Sequence, residues 1–270
     1  MGRIGRSIQL VQQSYRILMQ DKELMVLPLI SGVFIVAAVL AIGFGSGITS
    51  DQINREDPRT TIAGFLVYVV TYGIGIFFQA AVIAGATERM RGGDPTVGSA
   101  LRAAAKRIGP ILMWSLFAAT FGMLLRMIQD RVGFVGKIIT GLIGAGWSLA
   151  TFFIVPVLVL EERPLRESFS QSTAVFRKTW GETIAGGASV GIAAIAAWVT
   201  LVAFVGLLAW VGAGVIALAA FAVGALLLVA FFSSLQGIYV ATLYRYATEG
   251  RAPSGFDTNL LADAFNAETK

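Results

Sequence analysis

The chain has 270 residues, of which 56% are apolar and only 14% charged, with a net charge of +5 and a mean hydropathy of +0.75; soluble chains carry about a quarter charged residues, so this composition suits a lipid bilayer. It contains neither Cys nor His, which excludes disulfides, thiolate nucleophiles, iron–sulfur clusters, zinc–thiolate sites and imidazole as proton shuttle or metal ligand. Lys and Arg lie singly or in pairs between long apolar runs, a pattern that fits a basic membrane-facing surface better than a nucleic-acid partner.

In chain order, residues 1–24 place Ile4, Ile8, Val11, Tyr15 and Leu18 on one helical stripe with Arg6 and Arg16 away from it, which predicts an amphipathic helix lying along the interface. A first span follows at 25–48. It is too long for a signal-peptide core and is preceded by Asp21 and Glu23, so it is expected to remain as an anchor. The second span, 62–87, carries Gln79 in "FFQAAVIAG" and runs into "GGDP", where proline is expected to stop it. A second interfacial helix is predicted near 95–107 on Val97, Leu101, Ala104 and Ile108, rimmed by Arg102, Lys106 and Arg107.

Spans three and four fall at 108–127 and 137–160, joined by a turn crowded with Arg126, Asp130, Arg131 and Lys137. These cations could snorkel to headgroups or collect anions outside. Pro156 is expected to kink span four, which ends at "EERP" with Glu161 and Glu162. Adjacent helical residues point about 100° apart, so the two carboxylates do not converge as paired catalytic acids must. A third interfacial helix is predicted near 164–181 on Leu165, Phe169, Thr173, Phe176 and Trp180, with Arg166, Arg177 and Lys178 at its rim.

Spans five and six, 184–209 and 212–243, form a tight hairpin at Trp210. The sixth carries Ser233, Ser234 and Gln236, and residues 244–270 form an amphipathic tail. The expected architecture is a single all-α membrane domain over 1–270. Its six-span bundle occupies 25–243, organised as a loose pseudo-repeat of interfacial helix plus hairpin.

Alternate loops hold four, five, four and three Lys or Arg against two, three and none, so the positive-inside rule puts both termini in the cytoplasm. Every Asp and Glu lies in a loop or at a span end. Because intramembrane carboxylates mark proton and ion coupling, their absence argues against a coupled pump. Gln79, Gln236, Ser233, Ser234 and Pro156 remain as candidate path-lining or helix-joining groups. Ladders of small residues, such as Gly136, Thr140, Gly144 and Ser148, or Gly187 and Gly191, suit close helix packing, with homo-oligomer formation the other use of such a pattern. No dinucleotide fingerprint in strand context, Walker A motif, GxSxG elbow or HExxH motif occurs, so no catalytic, cofactor or metal residue is assigned.

The blocks "GRIGRSIQLVQQSYRILMQDKELMVLPLISG", "FFQAAVIAGATERMRGGDPTVGSALRAAAKRIG" and "WSLATFFIVPVLVLEERPLRESFSQSTAVFRKTWGE" together resemble a family of uncharacterised prokaryotic polytopic membrane proteins, a domain of unknown function. That resemblance implies a prokaryotic inner membrane and does not indicate an activity. The amphipathic start before "LPLISG" is similar to CysZ-like sulfate permeases, which implies a passive route for small anions. The combined expectation is a non-enzymatic membrane protein, a passive channel or facilitator for ions or small solutes. The alternative is a membrane-organising scaffold that works through lipid and anionic headgroups.

The topology is directly testable in a chain with no native thiol: Asp57→Cys in intact cells should react with an impermeant maleimide from outside. Labelling only after the cytoplasmic face is opened would invert the assignment.

Overall fold

In hydrocarbon a peptide group has no water to bond, so apolar segments of this length must satisfy their own backbone as helices. The computed structural model describes residues 3–47, 57–161 and 163–249, and it is all-helical, with no strand among them. The elements are α1 (Arg3–Gln20), a single 3₁₀ turn (Lys22–Met25), α2 (Val26–Ser46), α3 (Pro58–Met90), α4 (Val97–Ala105), α5 (Ile108–Arg131), α6 (Phe134–Ala150), α7 (Ile154–Leu160), α8 (Leu165–Trp210) and α9 (Gly214–Glu249). Six segments are long and apolar enough to cross a membrane: Lys22–Ser46, Pro58–Met90, Ile108–Arg131, Phe134–Leu160, Gly186–Trp210 and Gly214–Glu249.

Beyond shifts of a few residues at the ends, three features differ from the expected ones. First, α3 is ended by glycine five residues before Pro95. Gly92 takes φ +87°, its N–H bonds the Arg89 carbonyl at 2.9 Å, and the Gly93 N–H bonds the Glu88 carbonyl at 3.0 Å. This pair of bonds closes a helix C-terminus on a left-handed residue. The hairpin between α8 and α9 ends the same way on Gly212, at φ +82°, with Ala213 N–H on Leu208 and Gly212 N–H on Ala209.

Second, the segment around Pro156 is broken and not merely kinked. The helix stops at Ala150 and restarts at Ile154, so Pro156 sits in the first turn of α7, where a missing N–H leaves nothing unsatisfied. The ring's steric demand on the carbonyl four residues upstream, that of Phe152, falls inside the break. Third, the helix expected near 164–181 and span five are one helix of 46 residues, about 69 Å long at 1.5 Å per residue. No proline interrupts Leu165–Trp210, and glycine inside a helix costs only about 1 kcal/mol. The helix therefore runs through.

By compactness the chain divides into two units. One comprises Met1–Leu29, Val82–Ala100 and Val175–Lys270. In it α1 and the 3₁₀ turn pack on α9; Ser14, Ile17, Leu18 and Leu24 are buried, and buried Ser234 of α9 bonds the Leu24 carbonyl at 3.1 Å. The expected stripe of α1 is thus rotated: Leu18 is inside, but Tyr15 is 45% exposed and meets Phe231 edge-on at 6.0 Å. A protein neighbour selects small Ser14 where a lipid surface would accept any apolar residue. Residues 250–270 of the expected tail lie outside the described residues, and 244–249 simply continue α9.

The other unit comprises Ile30–Ala81 and Leu101–Ala174. Here α5 is apolar on all sides up to Leu125, yet its buried positions are Ile111, Trp114, Ser115, Ala118 and Ala119, the 3.6-residue stripe of a helix with one protein-facing side. Trp147 of α6 sits among Trp114 at 5.7 Å, Phe121 at 4.0 Å and Phe169 at 5.8 Å. Gly144, from the small-residue ladder, lets Leu125 of α5 approach closely.

Gly186 and Gly187 give a paired test in the first unit. A Cβ at Gly186 would overlap the Tyr239 ring hydroxyl, on a residue only 1% exposed, whereas nothing lies within 4 Å of one at Gly187. Gly186→Ala should destabilise the protein by about 1–3 kcal/mol through overpacking, and Gly187→Ala should be neutral or stabilising by up to about 1 kcal/mol. Thermal unfolding of both variants in detergent checks this; equal melting temperatures would contradict the close approach.

Candidate functional site

The densest polar cluster lies in the first unit, where the end of α3 meets the turn before α2 and the start of α4. The Arg89 guanidinium donates through Nε and Nη2 to both oxygens of Asp21, and Nη2 also donates to Asp94 Oδ1 at 2.7 Å. Asp21 is 6% exposed and Asp94 90%, so one arginine joins a buried carboxylate to a solvated one. A planar fork matches a carboxylate with two parallel bonds.

Around that pair the start of α4 is closed by side chains. Thr96 and Ser99 bond each other's backbone N–H at 3.0 Å in both directions, a reciprocal cap with serine in place of the usual glutamate. The Glu23 carboxylate accepts from the Val97 N–H at 3.2 Å, where a helix N-terminus favours negative charge. The Ser99 hydroxyl donates to Glu88 at 2.9 Å. Deeper in, the Ser234 hydroxyl donates to the Leu24 carbonyl at 3.1 Å, and Gly85 lets Leu24 approach α3. Asp21, Glu23, Glu88 and Asp94 are therefore all engaged in joining three backbone segments. Among the described residues no group of three or more His, Cys, Asp or Glu is placed to hold a metal ion.

In the second unit the broken segment is closed by a neighbour. The Ser172 hydroxyl of α8 accepts from the Phe153 N–H at 3.1 Å and donates to the Ala150 carbonyl at 2.8 Å. One buried hydroxyl thus bridges the two helix ends across the gap. Arg107 Nε donates to the Leu158 carbonyl at 2.9 Å, capping the last turn of α7 with a cation. Glu161 accepts from Gln171 at 3.2 Å and lies 2.5 Å from Arg163 Nε. Glu162 lies outside the described residues.

The residues singled out in the sequence are scattered by this arrangement. Gln79 and Ser233 are exposed, Gln236 is half-buried, and Ser234 and Pro156 are buried. Arg126, Arg131 and Lys137 are all exposed. Of the expected interfacial cations, Arg16, Arg102, Lys106, Arg166, Arg177 and Lys178 are exposed, Arg107 is drawn inward onto α7, and the side chain of Arg6 lies outside the described residues. Asp21, Arg89 and Ser172 drew no special attention in the sequence. Asp21 carried one available signal, an acid immediately after an amphipathic helix; Ser172 carried none that sets it apart within "SFSQST".

The two acids on Arg89 differ sharply in burial, which separates their expected effects. Asp21→Asn should lower stability by about 1.5–3 kcal/mol, as loss of charge-assisted buried bonds does, while Asp94→Asn should change it by under about 1 kcal/mol. Melting temperatures in detergent distinguish the two, and equal losses would refute the assigned hierarchy.

Comparison with known families finds one match, a model of a family of unknown function, DUF6159, over residues 60–256. It begins after α2 and includes both helices of the last hairpin. No curated protein and no solved structure matches, so the likeness to CysZ-like permeases gains no support.

Proposed function

The chain belongs to this family of unknown function, and we propose that it is a non-enzymatic membrane protein that binds anionic lipid and organises the bilayer around its basic ends. The observation that carries this reading is an imbalance of partners. The acids Asp21, Glu23, Glu88, Asp94, Glu161 and Glu249 are each joined to a protein partner, while exposed Asp130 and Glu167 have no ion-pair partner among the described residues. The exposed Arg16, Arg102, Lys106, Arg166, Arg177 and Lys178 have no carboxylate within ion-pair reach among the described residues. Cations left over at the ends of apolar helices suit lipid phosphates, each worth about 1 kcal/mol near an anionic surface. In this reading both termini are cytoplasmic, in a prokaryotic inner membrane. The helices α1 and α4 lie at the cytoplasmic boundary, and the surface-helix and hairpin pattern supplies the basic rim. Homo-oligomer formation is compatible with it.

A second reading, a passive channel or facilitator for ions or small solutes, is favoured by the interruption of the hydrophobic segment Phe134–Leu160 at Thr151–Phe153. Broken helices at membrane depth are found where backbone is buried in protein or lines a cavity, and transporters use them for substrate and ion sites.

One set of proteoliposomes tests both. Native mass spectrometry should show phosphatidylglycerol retained over phosphatidylcholine, and the triple variant R166Q/R177Q/K178Q should lower that preference by roughly tenfold or more, at about 1 kcal/mol per charge. An unchanged preference counts against the lipid reading. Flux of chloride, sulfate or potassium above protein-free liposomes would favour the channel; no flux under gradient or voltage removes it.

A further inference from the structure

In the second unit a partly open cavity of about 350 Å³ lies between α2, α3 and α5. Phe34 lines it from α2, Val70, Ile74 and Phe77 from α3, and Ile108 and Leu112 from α5. The lining's single hydroxyl, on Ser115, donates to the Ile111 carbonyl of its own helix at 2.7 Å. A water needs two to four polar partners to occupy such a space, and this wall offers almost none. The volume falls at the lower end of sites that hold small ligands, about 300–1,000 Å³. In a bilayer an apolar recess of this kind fills with hydrocarbon.

Along the chain, the cavity wall is preceded by a basic segment. It reaches Ile108, the first residue of α5, and the segment just before that helix carries Arg102 and Lys106, both exposed and without a carboxylate partner among the described residues. Arg107, between them and the helix, is engaged by the Leu158 carbonyl at 2.9 Å, so it does not compete for a ligand. An apolar recess whose wall includes Ile108, next in sequence to a segment with two exposed cations that have no carboxylate partner among the described residues, suits an amphiphile with an anionic head and a hydrocarbon tail.

We propose that this cavity seats one acyl chain of an anionic phospholipid whose headgroup phosphate is held by Arg102 and Lys106. The proposal rests on the lipid-binding reading above and adds a place and a geometry to it. The shape accounts for the chain, and the two cations account for the choice among headgroups.

The test uses the full-length protein in phosphatidylcholine liposomes doped with a diazirine-acyl phosphatidylglycerol, or with the same acyl probe on phosphatidylcholine. After irradiation, labelled residues are mapped by mass spectrometry. The phosphatidylglycerol probe should concentrate on residues 69–78 and 108–115, exceeding the phosphatidylcholine probe there by about fivefold or more. The R102Q/K106Q variant, which leaves the cavity wall intact, should abolish that excess. The cavity-filling Leu112→Trp should reduce labelling by both probes, and Val70→Phe serves the same purpose if Leu112→Trp does not elute as a monodisperse species. Labelling spread evenly along the exposed faces of α8 and α9, or equal labelling by the two probes, overturns the proposal. If native mass spectrometry still shows a preference for phosphatidylglycerol while the cavity stays unlabelled, the site is wrong and the broader lipid reading stands. If neither preference nor cavity labelling appears, both fall.

Discussion

No water stands within hydrocarbon to accept a stray N–H or donate to a stray carbonyl, and the rest of this structure depends on how that constraint is met. Along most of the chain the helices meet it alone. At their ends and at the interruption between Ala150 and Ile154 they need help, and the help comes from a short set of devices. Gly92 and Gly212 turn the chain back so that its last carbonyls are bonded by its own next amides. Thr96 and Ser99 close the start of α4 on each other. Ser172 spans the gap that Pro156 opens in the fourth hydrophobic segment. A single hydroxyl is sufficient there because the break exposes one donor and one acceptor within its reach, and a serine supplies both functions.

Charge follows the same logic at lower density. Burying the Asp21 carboxylate alone would be strongly unfavourable; Arg89 makes it tolerable through two parallel bonds and extends a third to exposed Asp94. The consequence is an asymmetry between the signs. Asp21, Glu23, Glu88, Asp94, Glu161 and Glu249 draw their partners from the chain itself, through backbone amides, hydroxyls and arginines. Arg16, Arg102, Lys106, Arg166, Arg177 and Lys178 are left exposed without a carboxylate partner among the described residues. Both functional readings arise from this division of roles: the outward cations favour a lipid partner, and the repaired break favours a route.

The number and position of the long helices were legible in the sequence, because apolar runs of about 20 residues between charged loops allow few alternatives. The boundaries were less so. Proline was given the role of stopping α3, but glycine two residues past the helix end does it, since a left-handed residue can satisfy carbonyls that proline cannot. The junction before span five looked like a boundary because its amphipathic pattern changes there. Pattern reports the neighbours of a helix and not its continuity, and nothing between Leu165 and Trp210 breaks the backbone. Ser172 and the Asp21–Arg89 pair were invisible for another reason: each acts on a partner far along the chain, and no local spacing encodes that distance.

The wide separation of those partners has a consequence for how the protein is made. Asp21 and Arg89 lie 68 residues apart, so at about 5–20 residues per second the carboxylate is synthesised roughly 3–14 s before its guanidinium. Until then it is an unpartnered charge and must stay in water, which holds the first apolar helix to an arrangement with its leading end at the surface. Arg89 closes the joint only once the second long helix has been made. Ser234, 210 residues from the Leu24 carbonyl it bonds, can add its lock only near the end of synthesis. The amino-terminal segment is thus fastened in two steps set by translation order, first by charge and later by a hydroxyl from the last helix.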